Sequence, residues 1–153
     1  MPKELKMLFM IIGCLFILQA VGGYFQVKNY KSTVHRMHKL GNLGMGQRRG
    51  RFFNGYLVVV ACGNDHMIRA IEVMDGKTFL AKFHPIETLL GKKVNEMSID
   101  EFLFEFRAMD KKKQKRYRGY IQSMEALEMR FQRQKSEEKE QETAVLTESL
   151  EDQ

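Results

Sequence analysis

The sequence predicts an α+β protein that is tied to a membrane by one N-terminal helix. Three observations lead to this fold class: an uncharged apolar stretch near the N-terminus, a β-branched run in the middle, and amphipathic stripes with helical spacing toward the C-terminus. A chain of 153 residues has the length of one domain, so a multidomain enzyme is excluded. Its two cysteines exclude a disulfide-rich secreted mini-protein.

The apolar stretch predicts a membrane anchor over residues 1–27. No charged residue lies between Lys6 and Lys28, and these 21 residues would span roughly 31 Å as a helix, close to the thickness of a bilayer core. A soluble helix that is apolar on every face needs a larger protein around it. The small triplet Ala20-Val21-Gly22 suggests a signal peptide instead, but the stretch is long for one and a basic block follows it.

The charge pattern predicts the orientation of this anchor. The block 26–53 carries seven Lys and Arg residues and no acid, whereas two lysines precede the apolar stretch. Basic flanks stay in the cytoplasm, so we expect a single-pass protein of the inner (cytoplasmic) membrane with residues 28–153 in the cytoplasm. Cys14 and Cys62 lie in different predicted elements, and we expect both to be small apolar fillers.

A small β-rich domain, an antiparallel meander of three to four strands, is expected over residues 41–97. A basic juxtamembrane helix, 28–40, ends before Gly41, and a first strand covers 43–53. The β-branched run Leu57–Cys62 predicts a buried strand. Two further strands are predicted, from Met67 to Met74 and from Thr78 to Phe83, with a two-residue hairpin at Asp75-Gly76 between them. In the strand from Met67 to Met74, alternate side chains point to opposite faces of the sheet. One face receives Ile68, Ala70 and Glu72, and the other receives Arg69, Ile71 and Val73.

The glycines before the β-branched run allow two interpretations. The spacing Gly44-x-Gly46-x-x-x-Gly50, with Arg48 and Arg49 nearby, suggests a phosphate-binding loop. That motif has a different spacing and lies between a strand and a helix. We therefore interpret these positions and Gly76 as structural glycines at bulges, bends and turns.

The C-terminal part predicts amphipathic helices over 98–135 and a disordered acidic tail over 136–153. Ser98-Ile99-Asp100-Glu101 is a capping box, and apolar residues follow it at helical spacing. The basic amphipathic segment 110–133 could pack on the sheet, lie on anionic lipid or bind a nucleic-acid backbone. The tail has a net charge of −6 from seven acids and one lysine, a composition typical of disorder.

Motifs for catalysis or for metal and cofactor binding are not found in the sequence. His35 and His38 form His-x-x-His, but the surrounding basic block holds no Cys, Asp or Glu that would complete a metal site. Nucleophile–base pairs and Walker patterns are missing as well. We therefore expect that the protein is not an enzyme and that it binds no cofactor and no metal ion.

Four segments together resemble the glucitol operon activator proteins, transcriptional regulators of glucitol (sorbitol) uptake operons. They are Gly22-Gly23 with Gln26, Gly44-x-Gly46-x-x-x-Gly50-Arg51-Phe52, Val58-Val59-Val60-Ala61, and Met74-x-Gly76-x-Thr78. The resemblance covers about residues 7–97 and carries no known binding residues. It implies an accessory activator of a phosphotransferase-type uptake system for sugar alcohols, working beside a separate DNA-binding regulator.

The expected function is that of a membrane-anchored activator that works through protein contacts. Its partner would be a sugar-operon regulator or a phosphotransferase transporter component, and the candidate contact residues are Arg48, Arg49 and Arg51, which crowd an acid-free segment. A sheet without a recognition helix is poorly suited to reading bases. The alternatives are a direct DNA-binding activator that uses the basic blocks, and a structural subunit of a sugar-alcohol transporter.

Overall fold

The fold is α+β, as predicted, with a four-stranded antiparallel sheet between two helical layers. The computed structural model describes residues 2–50, 54–76 and 81–151, with side chains through residue 144. The helices are α1 (Lys3–His38), α2 (Ile99–Ala108), α3 (Lys111–Arg116) and α4 (Arg118–Glu151), with a 3₁₀ turn at Val94–Glu96. The strands of the sheet, in spatial order, are β1 (Asn42–Arg48), β2 (Tyr56–Cys62), β3 (Ile68–Asp75) and β4 (Phe83–Pro85). A separate two-stranded ladder joins β5 (Thr88–Leu89) to β6 (Lys92–Lys93).

The two faces of the sheet carry different helices. Helices α2 and α4 cover one face and form the main core, whose largest fully buried side chains include Phe102, Phe106 and Met124. The opposite face receives the C-terminal end of α1, where Met37 packs on Val59 and Ala61 of the central strand. Because β2 is apolar on both faces, it is buried almost throughout.

Helix α1 is continuous from the apolar stretch to the sheet. The predicted juxtamembrane helix is its last part, and the helix ends at His38, three residues before Gly41. The apolar stretch makes α1 long and apolar enough to cross a bilayer, and only 6% of its most apolar 18-residue window is buried. The last ten residues are different in character, since Thr33 and Met37 are buried against the domain.

Polar contacts also fix the end of α1 on the sheet. The Arg36 guanidinium donates to both carboxylate oxygens of Glu72, at 2.6 and 2.7 Å. Glu72 is 5% exposed, and a buried carboxylate needs such a partner because it has lost its hydration. Nearer the apolar stretch, the Asn29 side-chain oxygen accepts the Phe83 N–H at 3.1 Å. Helix and sheet are thus held at two points along the helix.

Two details of the predicted sheet are wrong. Ile68 faces the main core together with Ile71 and Val73, and not the opposite face with Ala70. The β2–β3 register shifts at this point, so no residue of β2 pairs with Arg69 in the ladder. The tight hairpin at Asp75-Gly76 is also absent from the described pairing. Met74 lies opposite Phe83, so the connection is much longer than two residues; Thr78, the predicted start of the last strand, lies outside the described residues.

The glycines of β1 permit close packing of a helix, and the interpretation of Gly44 and Gly46 as bulges or bends is wrong. The β1–β2 ladder is unbroken from Asn42 to Arg48. A Cβ on Gly44 would lie 2.0 Å from the Ser123 carbonyl oxygen of α4, and one on Gly46 would lie 1.8 Å from that of Gly119. Helix α4 therefore crosses β1 with backbone against backbone.

Gly50 and Gly76 lie in the chain reversals at one end of the sheet. A Cβ on Gly50 would lie 2.2 Å from the Asn54 carbonyl carbon, so the loop between β1 and β2 closes tightly there. The Gly76 N–H donates to the Gly55 carbonyl oxygen at 2.8 Å, which joins the two loops at this end.

The predicted capping box is present, and the amphipathic face of α4 packs on the sheet, which is one of the three roles considered for it. Ser98 and Glu101 form both hydrogen bonds of the capping box, and α2 and α4 bury their predicted apolar stripes. The tail differs from the prediction, because α4 continues as a helix to Glu151. Residues 136–144 are exposed and rich in Glu, Lys and Gln, which are good helix formers even where nothing packs on them.

A Gly46→Ala substitution should separate α4 from β1. The new methyl group would collide with the Gly119 carbonyl, and neither backbone can rotate away, so we expect a loss of about 3 kcal/mol in the free energy of unfolding. Gly13→Ala is the matched control, because a Cβ there meets no described atom within 4 Å. Thermal unfolding of the full chain in detergent checks this. Equal stability of both variants would contradict the backbone contact.

Candidate functional site

An open groove of 740 Å³ lies where the end of β1 meets the start of α4. Four cationic side chains line it, two from β1 and its following loop and two from the α3–α4 region: Arg48, Arg49, Lys115 and Arg118. The remaining described lining consists of three amide side chains and a glycine: Gln47, Asn54, Gln122 and Gly50. We call this the arginine groove.

Tyr56 holds the two walls of the arginine groove together. Its hydroxyl donates to the Arg116 carbonyl oxygen at 2.8 Å and accepts the Gly119 N–H at 3.3 Å. This N–H belongs to the first turn of α4, where helix donors have no partner within the helix. On the other side, the Gln47 N–H donates to the Gln122 side-chain oxygen at 3.3 Å. The α3–α4 junction is therefore fixed beside the end of β1.

The phenol of Tyr56 is protonated at neutral pH, and burial reinforces this donor form. Desolvation raises the pKa of Tyr56, and the backbone of Gly119 and the charge of Arg48 oppose that rise only partly. The Tyr120 ring lies 5.5 Å from it, and burial raises the pKa of Tyr120 as well. Both hydroxyls therefore stay protonated in the folded protein across the neutral range.

The cations of the arginine groove have no acidic partner among the residues with described side chains. The ion pairs present there use other cations, such as Arg69 with Asp65 and Arg107 with Glu128. Three of the four groove cations are exposed and Arg48 is half-buried. Guanidinium groups bind carboxylates and phosphates in a bidentate manner. The groove is thus suited to an anionic ligand or an acidic protein surface.

The structure brings together part of the predicted contact set. Arg48 and Arg49 both line the groove, whereas Arg51 lies outside the described residues. Lys115 and Arg118 were missed as site residues. The sequence does show the basic run in which Lys115 lies, but nothing in it indicates that α4 crosses β1.

The structure also shows where the two histidines of the His-x-x-His motif and the Cys62 thiol lie. His35 and His38 lie in the last turn of α1. Within residues 2–50, 54–76 and 81–151, no group of three or more His, Cys, Asp or Glu side chains is placed to hold a metal ion. The Cys62 thiol is buried, and desolvation raises its pKa to about 11, so it is neutral at physiological pH and a weak nucleophile.

The fold and the groove define a small α+β domain with a cationic surface groove, carried on a long apolar helix. Residues 7–116 match the family model described as Glucitol operon activator protein (GutM). The match covers more than two thirds of the chain, and the chain belongs to this family. It reaches beyond the resemblance noted in the sequence and includes α2 and α3. No curated protein and no solved structure matches the chain.

A Tyr56→Phe substitution should loosen the α3–α4 junction without unfolding the domain. The substitution removes the hydroxyl that bonds Arg116 and Gly119, so we expect the free energy of locally opening the junction to fall by about 1 kcal/mol. This fall corresponds to a roughly five-fold faster amide exchange at residues 116–119. Hydrogen exchange followed by mass spectrometry measures this. Tyr24→Phe in the exposed part of α1 is the control. Unchanged exchange at the junction would show that Tyr56 does not hold it.

Proposed function

We propose that the chain is a membrane-anchored accessory activator of a glucitol (sorbitol) phosphotransferase uptake operon and acts through protein contacts. Family membership supports the role of an operon activator. The arginine groove, formed by residues that are distant in the sequence, supports a binding role for this domain. The contact residues that we propose are Arg48, Arg49 and Arg51, together with Lys115 and Arg118, which line the groove beside Arg48 and Arg49.

The anchor in this proposal is α1, with the domain on the cytoplasmic side of the inner membrane. Its exposed apolar side chains would be unfavourable in water, and a bilayer would cover them. The block 26–53, with seven basic residues and no acid, supports the cytoplasmic orientation. An anchored domain works at the membrane surface, where its partner must also be reachable.

The direction of α1 across the sheet supports a partner close to the membrane. Asn29 contacts Phe83, whereas Met37, two turns further from the apolar stretch, packs on Ala61. The pairing places Phe83 in line with Met74, Leu57 and then Gln47. The arginine groove, which begins at Gln47, therefore lies at the end of the sheet nearer the apolar stretch. A transporter component or a regulator held at the membrane would meet it there.

Neutralising the arginines tests the proposed contact. In cells with a glucitol-operon reporter, the triple variant R48Q/R49Q/R51Q should reduce induction to nearly the level of a deletion, because the anionic partner loses its charged contacts. The control R130Q/R133Q/K135Q removes the same charge from exposed positions of α4 and should induce normally. Immunoblots of membrane fractions check that all proteins accumulate equally. Full induction by R48Q/R49Q/R51Q would overturn the assignment.

Direct DNA binding is the second candidate, because the groove joins two basic segments on one surface. Gel shifts of operator fragments over a salt series distinguish the two. Binding to the DNA backbone weakens steeply with salt, by about 0.9 in log affinity per log unit of salt for each phosphate contact. Our proposal predicts no such binding by the purified full chain at physiological salt. Salt-dependent shifts that R48Q/R49Q/R51Q abolishes would favour the DNA-binding activator.

A structural transporter subunit makes a different prediction. If the chain only stabilised the transporter, uptake would fail without it even when the transporter genes were expressed from an unrelated promoter. An activator would be dispensable under those conditions.

A further inference from the structure

We infer that a second cavity, on the α1 side of the sheet, binds the headgroup of an anionic phospholipid. This cavity of 680 Å³ lies between α1 and the segment before β4, and Phe25, Lys28, Ser32 and Lys82 are among its lining residues. It is separate from the arginine groove, which shares none of its residues. The inference rests on the proposed membrane span of α1.

The cavity lies at the level where α1 would leave the bilayer. Lys28 is the first charged residue after the apolar stretch, and Asn29 is the residue whose side chain bonds Phe83. At about 1.5 Å of rise per residue, Phe25 and Asn29 are separated by only about 6 Å along the helix axis. Lys82, next to Phe83, is therefore held beside the headgroup layer by the fold itself.

The side chains of the cavity match the chemistry of a lipid at that depth. Phe25 is exposed on the bilayer side of Lys28 and can contact an acyl chain. Lys28 and Lys82 are both exposed, and neither pairs with an acid among the residues with described side chains. The Ser32 hydroxyl adds a possible donor. The two ammonium groups and the hydroxyl can bind a lipid phosphate, and the apolar wall can contact its acyl chains.

A bilayer lipid is the occupant because the lining is continuous with the lipid-facing surface of α1. A soluble acidic peptide would have to reach a cavity whose lower wall lies at the membrane boundary. A lipid arrives from within the bilayer and meets both lysines in the lining of one cavity. The cavity would thereby fix the rotation of the domain about α1 relative to the membrane plane.

Titration of the purified full chain with phosphatidylglycerol in detergent, followed by native mass spectrometry, tests this inference. We expect K28Q/K82Q to bind phosphatidylglycerol about 30-fold more weakly, the factor that corresponds to about 1 kcal/mol for each lysine. Phosphatidylcholine should bind weakly and equally to both proteins. The matched control K135Q/K139Q, in the exposed part of α4, should bind like the unaltered chain, and so should R48Q/R49Q.

The outcomes separate this inference from the proposed anchor. Alkaline carbonate should leave the unaltered chain in the membrane pellet; its release would overturn the anchor and the lipid site together. If the chain stays in the pellet but K28Q/K82Q binds phosphatidylglycerol as tightly as K135Q/K139Q, the lipid site alone is wrong. A loss of binding only in R48Q/R49Q would move the lipid to the arginine groove and would also overturn this inference.

Discussion

The packing of the last turns of α1 on the sheet determines how the whole domain is placed. Met37 enters the core of that face, and Arg36 neutralises Glu72, a carboxylate that is 5% exposed. Because the helix is unbroken from its apolar stretch to His38, no flexible linker separates the two parts. Whatever fixes the apolar stretch in space therefore also fixes the sheet.

The second determining contact is between α4 and β1. It requires glycine at positions 44 and 46, since any side chain there would strike the helix backbone. This approach brings Lys115 and Arg118 to the end of the strand that carries Arg48. Like charges repel, so the sheet core and the Tyr56 hydrogen bonds must supply the free energy that holds them together. Three of the four groove cations are exposed, so an anion can reach them, which supports a binding role for the groove.

Much of the fold could be predicted because it depends on local patterns. The uncharged stretch of α1, the β-branched run of β2 and the capping box at Ser98 each determine an element through neighbouring residues. The register shift at Arg69 could not be predicted, because alternation within one strand does not reveal how its partner pairs. The tail was predicted as disordered from its charge, whereas its residues are also good helix formers, and composition alone does not decide between the two.

Only part of the candidate site could be predicted from the sequence. Arg48 and Arg49 stand out as cations in an acid-free segment, but their neighbours come from two helices about 70 residues further along the chain. The glycines that make this contact possible have a conspicuous spacing in the sequence. Their role depends on a helix backbone that no local pattern places there.

The central claim is that the end of the sheet bearing Lys82 lies on the bilayer surface, and depth measurements test it most directly. One spin label is attached at Lys82→Cys and, in a separate protein, another at Lys139→Cys, each in a chain whose Cys14 and Cys62 are replaced by alanine. The relaxation of each label by lipid-attached and by water-soluble paramagnets then reports its depth in a bilayer. We expect a label at residue 82 in the headgroup layer and a label at residue 139 in bulk water. Two labels with equal exposure to water would contradict it.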